Sequence, residues 1–233
     1  MGQPFECDGN FIMLQITIGG VLSKMDGTSA DVLLQNADLA LYHAKQAARG
    51  DYIHFEPGLR TSIQCRTEQI ALLDKALDEG RVFAHFQPVI CIRRAKIIGV
   101  EAWARIRTDE GDIISAGAFS LGLSDSKNAF RLTSRMLDQI ASNMRAWMDE
   151  GLELRHVALN LSTVDFQRGN LEERLRAAFE AYAVPLHYLQ IEVTENVLMN
   201  QEVASQVARL REQGMQVALD DFGTGFASLS HLK

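Results

Sequence analysis

The sequence predicts an α/β protein in which most of the strands are parallel. Between residues 157 and 220, strand-like and helix-like segments alternate strictly, which is typical of parallel strands joined by right-handed crossovers. Each strand of this region is apolar until its carboxyl end, where an acidic or amidic residue follows. These two observations indicate either a doubly wound sheet or a (β/α) barrel.

Composition and charge limit the classes of function. The chain has 233 residues and a formal net charge of −7, which argues against DNA as a partner. A small nucleotide remains compatible, because a metal ion can supply positive charge locally. Three widely spaced cysteines without paired spacing are typical of reduced thiols, and no run of 18 apolar residues occurs. We therefore expect a cytoplasmic protein with no membrane segment in this chain.

The first segment resembles the end of a domain. An apolar run over Phe11–Ile18 predicts a strand closed by Gly19-Gly20, and Ser29 opens a helix that Gly50 ends. Tyr52–Phe55 predicts a short strand. One helix between short strands cannot bury a core of its own at this length, so we expect a domain that begins upstream of Met1.

A second domain is predicted after a connecting helix over residues 57–80, which Gly80 stops. Two strands, Phe83–Ile92 and Lys96–Ile106, are joined by a short basic turn and therefore form an antiparallel pair. Apolar periodicity then predicts a helix over 128–149. The alternating region contains strands over 157–162, 188–194 and 215–220, with helices over 171–182 and 201–213.

The polar residues at the strand ends are the candidate functional site. Asn160, Glu192 and the pair Asp220-Asp221 end successive strands, and Glu101 lies in the earlier hairpin. The carboxyl ends of parallel strands meet on one rim, where (β/α) barrels build their active sites. A single acidic residue in such a place is most often a helix N-cap or a solvated turn residue. Four in register are harder to explain in that way.

Grouped carboxylates predict a divalent metal site. They would repel one another strongly without a cation, and oxygen donors suit Mg²⁺, Mn²⁺ or Ca²⁺ rather than zinc. Asp220 and Asp221 are adjacent, so they point in different directions and suit one ligand for each of two ions. Two-ion sites are the usual arrangement for cleaving phosphodiesters.

Five motifs resemble the EAL family of bacterial cyclic di-GMP phosphodiesterases. They occur in the family's order over residues 65–233: Phe86-Gln87-Pro88, Glu101-Ala-Trp-Ala-Arg105, Asn160-Leu-Ser162, Glu192-Val-Thr-Glu195 and Leu219-Asp-Asp-Phe-Gly-Thr-Gly225. The first segment is similar to the last quarter of a GGDEF domain through Ile16–Gly19 and Ala37–Lys45. The resemblance implies an incomplete TIM-like barrel of about five strands, the first antiparallel, preceded by a C-terminal GGDEF fragment. Its domain limits would be 1–56, 57–80 and 81–233.

The resemblance also implies roles for individual residues. The ligands of a first Mg²⁺ or Mn²⁺ ion would be Glu101, Asn160, Glu192 and Asp220, and Asp221 would serve a second. Glu101, Asp220 and Asp221 would thereby be catalytic. Gln87 and Arg105 would contact cyclic di-GMP, and Glu195 would support the metal site. The reaction would be hydrolysis to linear pGpG in second-messenger signalling, and members of the family also form homodimers.

Departures from the family pattern leave two functions open. Trp103 stands where the signature has leucine, and the chain ends at Lys233 before the strand that carries the family's catalytic lysine. We therefore expect the chain to be truncated at both ends and inactive by itself, although its parent would be an enzyme. The alternative is a non-catalytic module that binds cyclic di-GMP or a partner.

Overall fold

The computed structural model describes residues 5–7, 10–12, 16–47, 50–194, 197 and 200–220. The chain divides into two compact units, Met1–Thr67 and Glu68–Lys233. The helices are α1 (Ala30–Ala47), α2 (Pro57–Asp78), α3 (Ser126–Asp149), α4 (Thr163–Gln167), α5 (Leu171–Glu180) and α6 (Gln201–Glu212). The strands are β1 (Phe5–Cys7), β2 (Asn10–Ile12), β3 (Ile18–Gly20), β4 (Tyr52–His54), β5 (Val82–Cys91), β6 (Lys96–Arg107), β7 (Ile113–Ser115), β8 (His156–Asn160), β9 (Leu189–Thr194) and β10 (Gln216–Asp220).

The first unit contains a parallel pair, β3 and β4, with α1 between them in the chain. A strand does end at Gly19-Gly20, and the two glycines are themselves the last two residues of β3. A Cβ atom on Gly19 would lie 2.2 Å from the backbone nitrogen of Leu41 in α1, so glycine permits the close approach of strand and helix. Residues 13–15 of the predicted strand Phe11–Ile18 lie outside the described residues.

The predicted connecting helix is observed as α2, which begins in the first unit and ends in the second. It stops two residues before Gly80, whose φ of +68° favours glycine at the end of a helix. No helix among the described residues is long and apolar enough to span a membrane.

The second unit contains a sheet with the strand order β10-β9-β8-β6-β5, and β7 pairs with β6 outside this path. The pairs β6–β8, β8–β9 and β9–β10 are parallel, whereas β5 and β6 are antiparallel, as predicted. The α/β class and the hairpin at the start of the sheet are therefore confirmed.

One face of this sheet packs against helices, and α3 lies against β5 and β6. Every third or fourth residue of α3 is apolar, and this stripe is buried together with side chains from the strands. The buried members from α3 are Leu132, Met136, Leu137, Ile140, Ala141 and Met144, and those from the strands include Val82, Val100, Ala102, Ile106, Val157 and Leu159. Each large side chain contributes about 1.5–3 kcal/mol by its burial. Because side chains alternate along a strand, the polar residues of these strands lie on the opposite face of the sheet.

The structure corrects several predicted limits around the site. The strand predicted over 157–162 ends at Asn160, because Ser162 is the N-cap of α4, a helix that the sequence did not predict. The helix predicted from 128 starts at Ser126, where the N-cap Asp125 accepts a hydrogen bond from the backbone of Asn128. A 3₁₀ segment over Ala116–Ser124 and strand β7 were also missed, since both are too short to show periodicity.

Candidate active site

Strand register determines which predicted site residues share a face. In β6, Glu101 pairs with Ala158 of β8, so Asn160 lies two residues further along on the same face. In turn, Asn160 pairs directly with Glu192 of β9. These three side chains therefore project from the same face of neighbouring parallel strands: Asn160 and Glu192 lie near the carboxyl ends of β8 and β9, and Glu101 lies in the middle of β6.

The last strand extends this arrangement. Ala218 of β10 pairs with Glu192, and Asp220 follows two residues later on the same face. This face is opposite to the one that packs against α3. We call the four residues the acidic edge: Glu101, Asn160, Glu192 and Asp220.

Two hydrogen bonds organise the acidic edge. The Asn160 side-chain amide donates to Oε1 of Glu101 at 2.8 Å, and the Gln190 side-chain amide donates to Oε1 of Glu192 at 3.1 Å. Gln190 was not predicted as part of the site. Strand alternation could have indicated it, because it lies two residues before Glu192 on the same face.

Glu192 shows the electrostatic cost of this grouping. The pKa of Glu192 is raised from 4.5 to about 7, chiefly by burial and then by the neighbouring carboxylates of Glu101 and Asp220. The hydrogen bond from Gln190 acts in the opposite direction and lowers the pKa. The acidic edge therefore favours either a proton or an added cation near Glu192.

The donor chemistry of the acidic edge fits a hard divalent cation, because it consists of carboxylate and amide oxygens. The side chains of the acidic edge do not yet surround a single point. Within the described part of the chain, no three His, Cys, Asp or Glu side chains are grouped closely enough to hold a metal ion. The residues fit Mg²⁺ or Mn²⁺ by their type and their shared face, and their carboxylates would have to converge on the ion.

The predicted substrate residues lie on the same face as Glu101. Gln87 of β5 pairs directly with Glu101 across the antiparallel hairpin and is exposed. Arg105 lies four residues after Glu101, and its Nη1 donates to the backbone oxygen of Ala104 at 2.9 Å. Trp103 lies between Glu101 and Arg105, and its indole nitrogen is buried without a hydrogen-bond partner among the described residues.

Two predicted site residues, Asp221 and Glu195, lie outside the described residues. Sequence reasoning also missed a buried carboxylate, Asp165, which lies close behind the end of β8. The sequence signal that could have found it is a capping box formed by Ser162 and Asp165. In this motif, the side chain of each residue accepts a hydrogen bond from the backbone nitrogen of the other.

The comparisons with known proteins agree with these motifs. The family model for the EAL domain matches residues 71–233. The bifunctional diguanylate cyclase/cyclic di-GMP phosphodiesterase MucR of Pseudomonas aeruginosa is 31% identical over the whole chain, which spans 34% of that protein. The signaling protein YkoW of Bacillus subtilis is 29% identical over 99% of the chain, which spans 29% of its length.

A solved structure supports the same relationship. The structure described as "PaMucR Phosphodiesterase, c-di-GMP complex" has a TM-score of 0.65 and 30% identity, and the match covers 71% of this chain and 68% of that one. The chain thus spans about a third of the length of these curated relatives. Because the family model covers more than half of the chain and includes the acidic edge, the chain belongs to the EAL domain family.

Proposed function

We propose that this chain carries the metal-binding part of a cyclic di-GMP phosphodiesterase site, which hydrolyses the dinucleotide to linear pGpG. The observation that carries the proposal is the acidic edge, in which four oxygen-bearing side chains project from one face of neighbouring parallel strands. Family membership and the named activity of MucR support the choice of substrate.

In this proposal, the acidic edge holds a first Mg²⁺ or Mn²⁺ ion and Asp221 contributes to a second. A bound divalent ion supplies positive charge and lowers the pKa of water at the site. The ion would be bound by the ionised carboxylates of Glu101, Glu192 and Asp220. Because the pKa of Glu192 is raised, metal binding requires this residue to lose its proton. Glu195 supports the ligands through hydrogen bonds.

Gln87 and Arg105 bind the dinucleotide in the same proposal. Gln87 is exposed opposite Glu101 and can reach a nucleotide that lies over the acidic edge. The guanidinium of Arg105 suits a phosphate, because its planar donors match two phosphate oxygens. Only one of its nitrogens donates to the backbone of Ala104, so others remain to donate to a ligand.

The domain limits proposed from the sequence are a C-terminal part of a GGDEF-like domain over 1–56, a connecting helix over 57–80 and an N-terminal part of an EAL-like domain over 81–233. The parallel β3–α1–β4 arrangement of the first unit is compatible with the first of these. The incomplete TIM-like barrel and the homodimer also belong to the proposal. Light scattering after size-exclusion chromatography would test the homodimer.

The alternative is a module that binds cyclic di-GMP or a partner without cleaving it. One observation favours this alternative: among the described residues, no three His, Cys, Asp or Glu side chains lie close enough together to hold a metal ion. In that case Gln87 and Arg105 would still bind the nucleotide, but added metal would leave the affinity for the nucleotide unchanged.

Incubation of the full chain with cyclic di-GMP and Mg²⁺ or Mn²⁺ tests the proposal. Product formation is measured by chromatography, and binding of Mn²⁺ and of the nucleotide is measured by titration. The proposal requires Mn²⁺ binding that Glu101→Ala removes, and pGpG formation that depends on Mn²⁺ would support it further. Nucleotide binding without Mn²⁺ binding would establish the alternative. Glu153→Ala, at an exposed position away from the acidic edge, is the control.

A further inference from the structure

A buried carboxylate, Asp165, lies in α4, which follows the end of β8 and therefore Asn160. Asp165 is 4% exposed and accepts three hydrogen bonds: from the backbone nitrogen of Ser162 at 2.9 Å, from the Ser162 hydroxyl at 2.8 Å and from the Thr133 hydroxyl at 2.6 Å. A buried carboxylate is costly unless donors surround it, and bonds to an ionised acceptor are strong. Asp165 is therefore held firmly in this position.

These bonds fix the backbone that follows Asn160. Ser162 is the N-cap of α4, which spans only five residues and is too short to be stable by itself. The link from Asp165 to Thr133 ties this turn to α3, a helix of 24 residues in the core. Between Asn160 and Ser162, the backbone nitrogen of Leu161 donates to the backbone oxygen of Glu192 at 2.9 Å.

The segment from Asn160 to Ser162 is thus held from two sides. Leu161 is 4% exposed and connects the segment to β9, while Asp165 and Thr133 connect it to α3. The Asn160 side chain has no such support from the core; it is exposed and donates to Glu101. Its direction consequently depends on the backbone from which it projects.

We infer that Asp165 and Thr133 are positioning residues that set the direction of Asn160 within the acidic edge. This inference rests on the proposed function, because it assigns the two residues a purpose in metal binding. Neither side chain touches the acidic edge, and both act through Ser162 and the end of β8.

Matched substitutions at neighbouring positions of α3 test the inference. Thr133→Val keeps the shape of the side chain and removes the donor to Asp165, whereas Thr133→Ser keeps the hydroxyl. Ser134→Ala is the control, because the Ser134 hydroxyl bonds Arg174 and the backbone oxygen of Phe130 and forms no hydrogen bond with Asp165 or Ser162 among the described residues. We expect about tenfold weaker Mn²⁺ binding for Thr133→Val, and wild-type binding for Thr133→Ser and Ser134→Ala. Urea unfolding measures stability separately.

A second readout does not require metal. Hydrogen exchange of the Leu161 amide reports whether the end of β8 is held, and we expect it to quicken in metal-free Thr133→Val but not in Ser134→Ala. Asp165→Ala should show the same two effects, with Asp138→Ala as its control, because Asp138 also accepts a hydroxyl hydrogen bond, from Tyr182, away from the site. Should Asp165→Ala fail to fold, Thr133→Val alone decides.

The outcomes separate this inference from the proposed function. Faster Leu161 exchange in Thr133→Val, in a protein that does not bind Mn²⁺, would refute the metal site and leave the positioning of β8 intact. Mn²⁺ binding that Glu101→Ala abolishes and Thr133→Val leaves unchanged, together with unchanged Leu161 exchange, would refute the inference alone.

Discussion

Two pairs of carboxylates in the second unit differ in how their charge is balanced. Asp74 and Asp78 of α2 face cations of α3: Arg131 contacts Asp74 at 2.7 Å and Asp78 at 2.5 Å, and Lys127 contacts Asp74 at 3.2 Å. Glu101 and Glu192 make no ion pair among the described residues. The side-chain amides of Asn160 and Gln190 donate to them, the two carboxyl groups also contact each other, and the pKa of Glu192 is raised to about 7.

Under the proposed function, the difference separates carboxylates that stabilise the fold from carboxylates that would bind a metal ion. An exposed carboxylate beside arginine is balanced by the protein and gains a modest free energy. Neighbouring carboxylates without a protein cation lower the free energy of unfolding, because they repel one another. A cation bound between them should raise the free energy of unfolding again. This comparison leads to three predictions, in order of decreasing effect.

The largest effect is expected when a ligand of the acidic edge is removed. Glu192→Ala should weaken Mn²⁺ binding by at least about a hundredfold, since changes next to metal ligands already cost 10–100-fold. In the wild type, Mn²⁺ at 100 times its Kd should raise the free energy of unfolding by about 2.7 kcal/mol. Titration and urea unfolding with and without Mn²⁺ measure both quantities.

Asp74→Ala is the matched control for this prediction, because it removes a carboxylate that the protein itself balances. It should bind Mn²⁺ as the wild type does. Equal loss of Mn²⁺ affinity in both variants would remove the distinction between the two pairs.

The pH dependence of metal-free stability should show the next effect. The pKa of Glu192 is about 7 in the folded chain and 4.5 ordinarily, so the folded state binds the extra proton between these values. Its contribution to stability is full below pH 4.5 and is lost as the pH rises towards 7. Glu192→Gln should flatten this part of the profile, which urea unfolding between pH 4.5 and 8 measures.

Metal should reverse this trend, because binding requires the ionised carboxylate and releases the proton. Mn²⁺ affinity should therefore increase between pH 6 and pH 8. An affinity that is independent of pH in this range would argue against Glu192 as a ligand.

The smallest effect is expected at the balanced pair. Asp74→Ala should lower the free energy of unfolding by about 0.5–1 kcal/mol, because Arg131 keeps its contact with Asp78 and the network is partly exposed. The loss should shrink in 1 M NaCl, where the screening length falls to about 3 Å. A loss that is unaffected by salt would indicate that Asp74 acts by packing rather than by charge.

Several features could be read from the sequence because they depend on local periodicity. Alternation of strands and helices predicted the parallel arrangement of β8, β9 and β10, and the basic turn predicted the antiparallel hairpin of β5 and β6. The apolar runs that end in Asn160, Glu192 and Asp220 predicted residues that the register places on one face. These patterns are short in range, and each repeats the geometry of a single strand or helix.

The sequence alone therefore determined the type of fold, the order of most elements and the residues of the acidic edge. Only the tertiary structure decided which neutral and buried groups surround them: Gln190 beside Glu192, and Thr133 and Asp165 behind Asn160. Thr133 and Asp165 are 32 residues apart in the chain. Their contact depends on how α3 packs against the end of β8, and no local pattern encodes that distance.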